Sequence, residues 1–154
     1  MDTGSGDKRA LYEKVILDHN RNPRNCCAME HPTCKAEGYN ALCGDQFTIY
    51  LKIEDDKIVD VSFDGCGCAI SKASASLMTT TLKGKTKQEA EALFVRFHQM
   101  VTADPGSPLP NQDLGKLEVL CGVRDYPVRV KCATLAWHTM MAALEGHKEP
   151  ISTE

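Results

Sequence analysis

From Gln46 to Phe63 the side chains alternate between apolar and polar, which predicts a β-hairpin with one face that must be covered. Phe47, Ile49, Leu51 and Ile53 fall on one side, with Thr48, Tyr50 and Lys52 on the other. Glu54-Asp55-Asp56-Lys57 reads as the turn, and Val59, Val61 and Phe63 resume the pattern. Residues 35–40 add a short strand. The cover is helical. In residues 8–21, Leu11, Tyr12, Val15, Ile16 and His19 recur at helical spacing until Asn22-Pro23 stops them. Residues 69–82 are rich in small side chains suited to close packing. Thr86-Lys87-Gln88-Glu89 is a capping box ahead of the stripe Ala90, Leu93, Phe94, Phe97 and Met100. Residues 103–111 hold three prolines and a glycine and predict a loop, and 112–120 a short helix. Tyr126-Pro127 predicts a break before a last helix over 130–145, with Ala133, Ala136, Trp137, Met140 and Leu144 facing inward and Gly146 ending it. Strands followed by helices predict an α+β fold: a small antiparallel sheet of about three strands with helices packed on one face.

The length of 154 residues fits one domain, expected over residues 8–148, with a disordered tail at 1–7 and another tail at 149–154. Such a domain buries roughly 70% of its unfolded surface, so a metal need not be its only core. A net charge of −3 gives no basic footprint for nucleic acid. No apolar run approaches the roughly 18 residues of a membrane span. Eight cysteines are many. With no secretory signal ahead of the first helix, they read as metal or redox thiols in a reducing cytoplasm, not as a disulfide framework.

Three segments carry the chemistry: Cys43-Gly44-Asp45, Gly65-Cys66-Gly67-Cys68-Ala69-Ile70-Ser71 and Arg129-Val130-Lys131-Cys132-Ala133. Thiolates are soft donors that select zinc or iron–sulfur clusters, and one hard carboxylate among them suits a site built for exchange. Cys43, Asp45, Cys68 and Cys132 match the four positions of a tetrahedral zinc site. Gly44 allows the bend that turns Cys43 and Asp45 to one centre. Cys68 and Cys132 are expected where helices begin, at ends that favour negative charge. Spacing alone does not choose between Cys66 and Cys68. Cys26, Cys27, Cys34 and Cys121 read as buried or incidental thiols, and His19, His98, His138 and His147 as surface or packing residues. His31 with Cys34 is a weakly spaced second pair. No glycine-rich phosphate loop is present, and Cys132 and His138, six residues apart on one helix, face different directions.

These motifs resemble the IscU/NifU N-terminal family of iron–sulfur cluster assembly proteins, and within it the SufU branch. The resemblance runs from about Leu11 to Gly146. It rests on Asp18-His19-Asn20-Arg21-Asn22-Pro23, Gly38-Tyr39-Asn40-Ala41-Leu42-Cys43-Gly44-Asp45, Gly65 to Ser76, and Pro127-Val128-Arg129-Val130-Lys131-Cys132-Ala133. Lys131 stands where IscU proteins carry histidine, and residues of roughly 98–120 look like the SufU insertion. The Leu-Pro-Pro-Val-Lys segment by which IscU proteins engage their chaperone is reduced to Tyr126-Pro127-Val128-Arg129. The resemblance implies Zn2+ held by Cys43, Asp45, Cys68 and Cys132. It also implies a sulfurtransferase-type role in which Cys43 accepts persulfide sulfur from a SufS-type cysteine desulfurase and passes it to a scaffold such as the SufBCD complex. Arg129 and Lys131 are then the expected contacts to the desulfurase or the persulfide. The same four donors equally suit a scaffold for a [2Fe–2S] cluster. A non-catalytic module with a structural zinc site is the third reading, against which Asp45 counts, because structural sites are usually all Cys and His.

Overall fold

The computed structural model describes residues 4–108 and 114–153. The hairpin forms where the alternation places it. Strand β2 (Asp45–Glu54) pairs antiparallel with β3 (Lys57–Cys66), Gln46 opposite Cys66 and Glu54 opposite Lys57. Asp55 and Asp56 both take positive φ, 51° and 65°, as a two-residue hairpin turn requires. A register shift at Lys52/Ile53 turns Ile58 into the core and leaves Val59 38% exposed, so Val59 faces away from the side its alternation predicts.

β1 (Cys34–Asn40) pairs antiparallel with the other edge of β2, Asn40 opposite Asp45. The free edge of β1 takes β4 (Ile151–Ser152) in parallel, giving the order β3-β2-β1-β4. The sheet is therefore mixed and four-stranded, and part of the expected 149–154 tail belongs to it. Two residues are too short for a period-2 pattern to reveal.

Four helices complete the described fold: α1 (Gly4–Arg21), α2 (Ala69–Leu82), α3 (Lys87–Thr102) and α4 (Pro127–Leu144). A 3₁₀ segment, Gly115–Asp125, precedes α4. It stands in place of the helix expected over 112–120, of which Gln112 and Asp113 lie outside the described residues. α1 reaches back to Gly4, into the segment expected as a tail, and residues 98–102, the start of the segment expected as an insertion, form the last turn of α3. α4 begins at Pro127, where a break was expected: at the first helical position proline gives up an N–H that would have no partner anyway. The capping box at Thr86 and Glu89 is present in full.

Phe47, Ile49 and Leu51 of β2 and Phe63 of β3 pack beneath Leu77 and Met78 of α2 and Leu135, Trp137 and Met140 of α4, all without exposed surface. Trp137 stacks on Phe97 at 4.6 Å between ring centres. α2 is buried along most of its length, which its small residues permit. Its buried hydroxyls are all put to use: Ser74 donates to the Ala133 carbonyl at 2.6 Å, and Ser76 Oγ meets His19 Nδ1 at 2.7 Å and the Arg24 N–H at 2.8 Å. No helix among the described residues is long and apolar enough to cross a membrane.

Burial holds the His19 imidazole below its ordinary value, with Arg24 adding to the effect, and burial with His98 does the same for His138. Both rings are kept neutral by folding. As pH falls below the unfolded histidine value of about 6.5, the unfolded chain takes up protons that the folded chain refuses, so stability falls with pH. The urea midpoint should drop between about pH 7.5 and pH 5.5, and His19→Gln should flatten the drop. An equal drop in that variant would remove His19 from the account.

Candidate metal centre

The antiparallel closure of β1 on β2 builds the first half of the site. β1 ends at Asn40, a 3₁₀ turn (Ala41–Cys43) follows, and Gly44 at φ 68° returns the chain into Asp45. Glycine takes that conformation at the least cost, and Cys43 and Asp45 flank this left-handed residue and face one centre. Cys68 is the N-cap of α2, its sulfur accepting from Ser71 N–H at 3.4 Å. Cys132 comes from α4 and is 2% exposed.

The Cys43 thiol, a carboxylate oxygen of Asp45 and the Cys132 thiol lie within 4.8 Å of one another. The Cys43 and Cys132 sulfurs are 3.0 Å apart. Cys68 lies outside this mutual group but approaches as a hydrogen-bonding neighbour of Cys132. Cys132 is not at a helix start, as the sequence suggested: with α4 beginning at Pro127 it sits in the second turn. Burial, reinforced by the Cys43 and Cys68 thiols, pushes its pKa far upward, opposite to what a helix N-terminus would do. Without a cation the buried thiol stays protonated; cation binding would deprotonate it. Three thiols and one carboxylate are a four-donor set that fits a zinc ion or an iron–sulfur cluster.

Asp45 is held more firmly than a labile ligand on a loop. Its Oδ1 accepts the Cys68 N–H at 2.8 Å and the Ser71 hydroxyl at 2.9 Å, and its Oδ2 accepts Asn40 Nδ2 at 3.3 Å. The carboxylate thus sits at the N-terminus of α2, where negative charge is favoured. Gly67 makes this approach feasible. A Cβ there would stand 2.7 Å from Asp45 Oδ1 and collide with Ser71 Oγ. Asn40, Gly67 and Ser71 carry no role in the sequence reading. The one available signal was Cys68-x-x-Ser71, the spacing of an N-cap and its partner.

A cleft of about 470 Å³ opens onto the sulfurs of Cys43, Cys68 and Cys132 and is walled by Leu17, Val128 and Arg129. The Arg129 guanidinium lies over the Tyr126 ring, 4.5 Å from its centre. Lys131 faces elsewhere. It lines a separate cavity of about 600 Å³ with Phe94, His98 and His138, on another side of α4. Of the two expected cationic contacts, the structure brings Arg129 to the site and not Lys131. Cys26, Cys27 and Cys66 are exposed and Cys34 and Cys121 half-buried; none joins the donor group, nor does His31. His98 and His138 pack with Phe94 as an aromatic cluster.

The family model described as NifU-like N terminal domain matches residues 11–148. The chain belongs to that family. It is 40% identical over 136 residues to the iron-sulfur cluster assembly scaffold protein IscU of Streptococcus pyogenes serotype M1, covering 88% of this chain and 83% of the relative. It is 38% identical over 130 residues to the zinc-dependent sulfurtransferase SufU of Bacillus subtilis strain 168, covering 84% and 86%. Among solved structures, a putative iron-sulfur cluster assembly scaffold protein for the SUF system from Fervidobacterium islandicum AW-1 superposes with a TM-score of 0.79 at 38% identity, covering 88% of this chain and 98% of that one. The α+β fold expected from the motifs is the fold of the family.

Proposed function

We propose that this family member is a zinc-dependent sulfur-transfer protein of iron–sulfur cluster assembly. In this reading Cys43 accepts persulfide sulfur from a SufS-type cysteine desulfurase and yields it to a scaffold such as the SufBCD complex. The observation that carries the reading is the convergence of Cys43, Asp45 and Cys132 on one centre, with Cys43, Cys68 and Cys132 lining one open cleft. Cys43, Asp45, Cys68 and Cys132 would hold the ion, which keeps the sulfurs as thiolates and, having no redox chemistry of its own, leaves their oxidation state unchanged. The Cys43 thiolate attacks the terminal sulfur of the donor's persulfide. A new S–S bond forms at Cys43 as the donor's S–S bond breaks, and the donor cysteine leaves as a thiolate, with no net oxidation. Arg129, at the cleft, is placed to meet the anionic persulfide. Leu42 beside Cys43 is 69% exposed, and Leu17 and Val128 are exposed at the cleft, an apolar rim that suits a protein partner.

The likeness to the streptococcal scaffold protein favours a second reading, a [2Fe–2S] cluster built on the same donors. Metal analysis and an absorption spectrum after anaerobic purification separate the two. The first reading expects one zinc per chain and no visible absorption; bound iron with sulfide and a brown colour would replace it with the second.

Removing the ion with a chelator should loosen the 41–45 turn, the 66–68 loop and the start of α4 while the core beneath Trp137 stays packed. The stability lost should be well below the roughly 10–16 kcal/mol of zinc binding in zinc-finger peptides, which have no other core. Far-UV circular dichroism should be largely retained. Its collapse on chelation would show that the metal is the core.

A further inference from the structure

Asn40 joins the two halves of the donor set. It has no exposed surface. Its Nδ2 lies 3.3 Å from Asp45 Oδ2 and 3.5 Å from Cys132 Sγ. A primary amide has two N–H bonds. One therefore goes to the oxygen donor at the start of β2 and the other to the sulfur donor on α4. The carbonyl Oδ1 of the same side chain is buried and has no partner among the described residues. A buried acceptor left unpaired costs stability, and an aliphatic residue would avoid that cost. Packing therefore does not account for an amide here; its two donors do.

We propose that Asn40 is a positioning residue of the metal centre: it donates one N–H to the Asp45 carboxylate and one to the Cys132 sulfur, holding the two in register for a cation. The inference rests on the metal-site reading above. Hydrogen bonds to charged acceptors are stronger than bonds to neutral ones, so both contacts tighten when the donors carry the charge that a cation demands. Asn40 thus favours the loaded site over the empty one. It also limits how Asp45 can ligate. Oδ1 already accepts two hydrogen bonds, from Cys68 N–H and Ser71 Oγ, and Oδ2 accepts one, from Asn40. Oδ2, with fewer hydrogen bonds to accept, is the oxygen through which Asp45 would bind a cation.

The test uses Co2+ titrations of the full chain, wild type against Asn40→Ala and Asn40→Leu, the leucine keeping the bulk. Both variants should bind Co2+ about 10–100-fold more weakly, the usual effect of removing a residue that supports a ligand. Their sulfur-to-cobalt charge-transfer band should move to longer wavelength, because a thiolate relieved of an N–H bond is more electron-rich. Their metal-free forms should lose less stability than Asp45→Ala, because the Cys68 N–H and Ser71 hydroxyl bonds to Asp45 remain. Wild-type protein loaded with 113Cd should show a correlation between the Asn40 side-chain N–H protons and the metal through Cys132 sulfur, a readout that needs no variant to fold. Wild-type affinity and band position in both variants would overturn the proposal. So would an affinity loss matched by equal loss of metal-free stability without a band shift, or the absence of the cadmium correlation. A wild-type protein that gives no thiolate charge-transfer band at all would overturn the metal reading itself, and this inference with it.

Discussion

Asp45→Ala is expected to lose tight metal binding and to destabilise the metal-free protein as well. The carboxylate is a candidate ligand, but it also terminates three hydrogen bonds, from Cys68 N–H, Ser71 Oγ and Asn40 Nδ2. Stranding buried or half-buried donors costs about 1–3 kcal/mol each, with partial recovery where water or a rotated hydroxyl can reach. A total of about 2–4 kcal/mol follows, a large part of the stability of an ordinary domain. Asp45→Asn keeps an acceptor for α2 and should fall between alanine and wild type in stability while still binding metal weakly. Urea unfolding of chelated samples checks the first claim. If metal-free Asp45→Ala unfolds at the wild-type midpoint, Asp45 is no clamp on α2 and its role is confined to the metal.

Cys43→Ser should abolish persulfide acceptance and leave the fold intact. The three thiols of the site differ in how they are anchored. Cys68 caps α2 and Cys132 lies buried within α4, so moving either disturbs a helix. Cys43 ends a three-residue turn next to Gly44 and opens onto the cleft. A sulfur on such a turn can swing toward a partner at lower cost than one fixed in a helix. Single-turnover transfer from a cysteine desulfurase should fall by roughly a hundredfold or more, about 3 kcal/mol of barrier. Cys26→Ser, Cys27→Ser and Cys121→Ser, outside the donor group, should keep most of the rate. Transfer to Cys43→Ser at the wild-type rate would remove Cys43 as the acceptor.

The hairpin and the Thr86 capping box could be read directly because each has a local signature, a period of two in one case and a fixed side-chain pairing in the other. The motifs also singled out Cys43, Asp45 and Cys132, whose ligating atoms the structure places within 4.8 Å of one another, and Cys68, which lies outside that group. What could not be read has local causes too. Ile58 rather than Val59 faces the core because a bulge shifts the register, and alternation cannot encode an inserted residue. β4 is two residues long and shows no pattern at all. Pro127 looks like a stop in sequence and is a start in space, since the same missing N–H serves both; the helix start there leaves Cys132 in the second turn, and burial with the Cys43 and Cys68 thiols raises its pKa. The parts of Asn40, Gly67 and Ser71 arise only from contacts between segments distant in the chain, such as Asn40 with Cys132. Lys131, adjacent to a ligand in sequence, projects from a different side of α4, because neighbouring helical residues point about 100° apart.

The most direct measurement is to incubate the zinc-loaded protein with a cysteine desulfurase and cysteine, then locate the added sulfur by mass spectrometry of alkylated peptides. One extra sulfur atom is expected on the peptide carrying Cys43, with zinc still required for its arrival. Sulfur found instead on Cys66 or Cys132, or acceptance that continues unchanged after the zinc is removed, would contradict it.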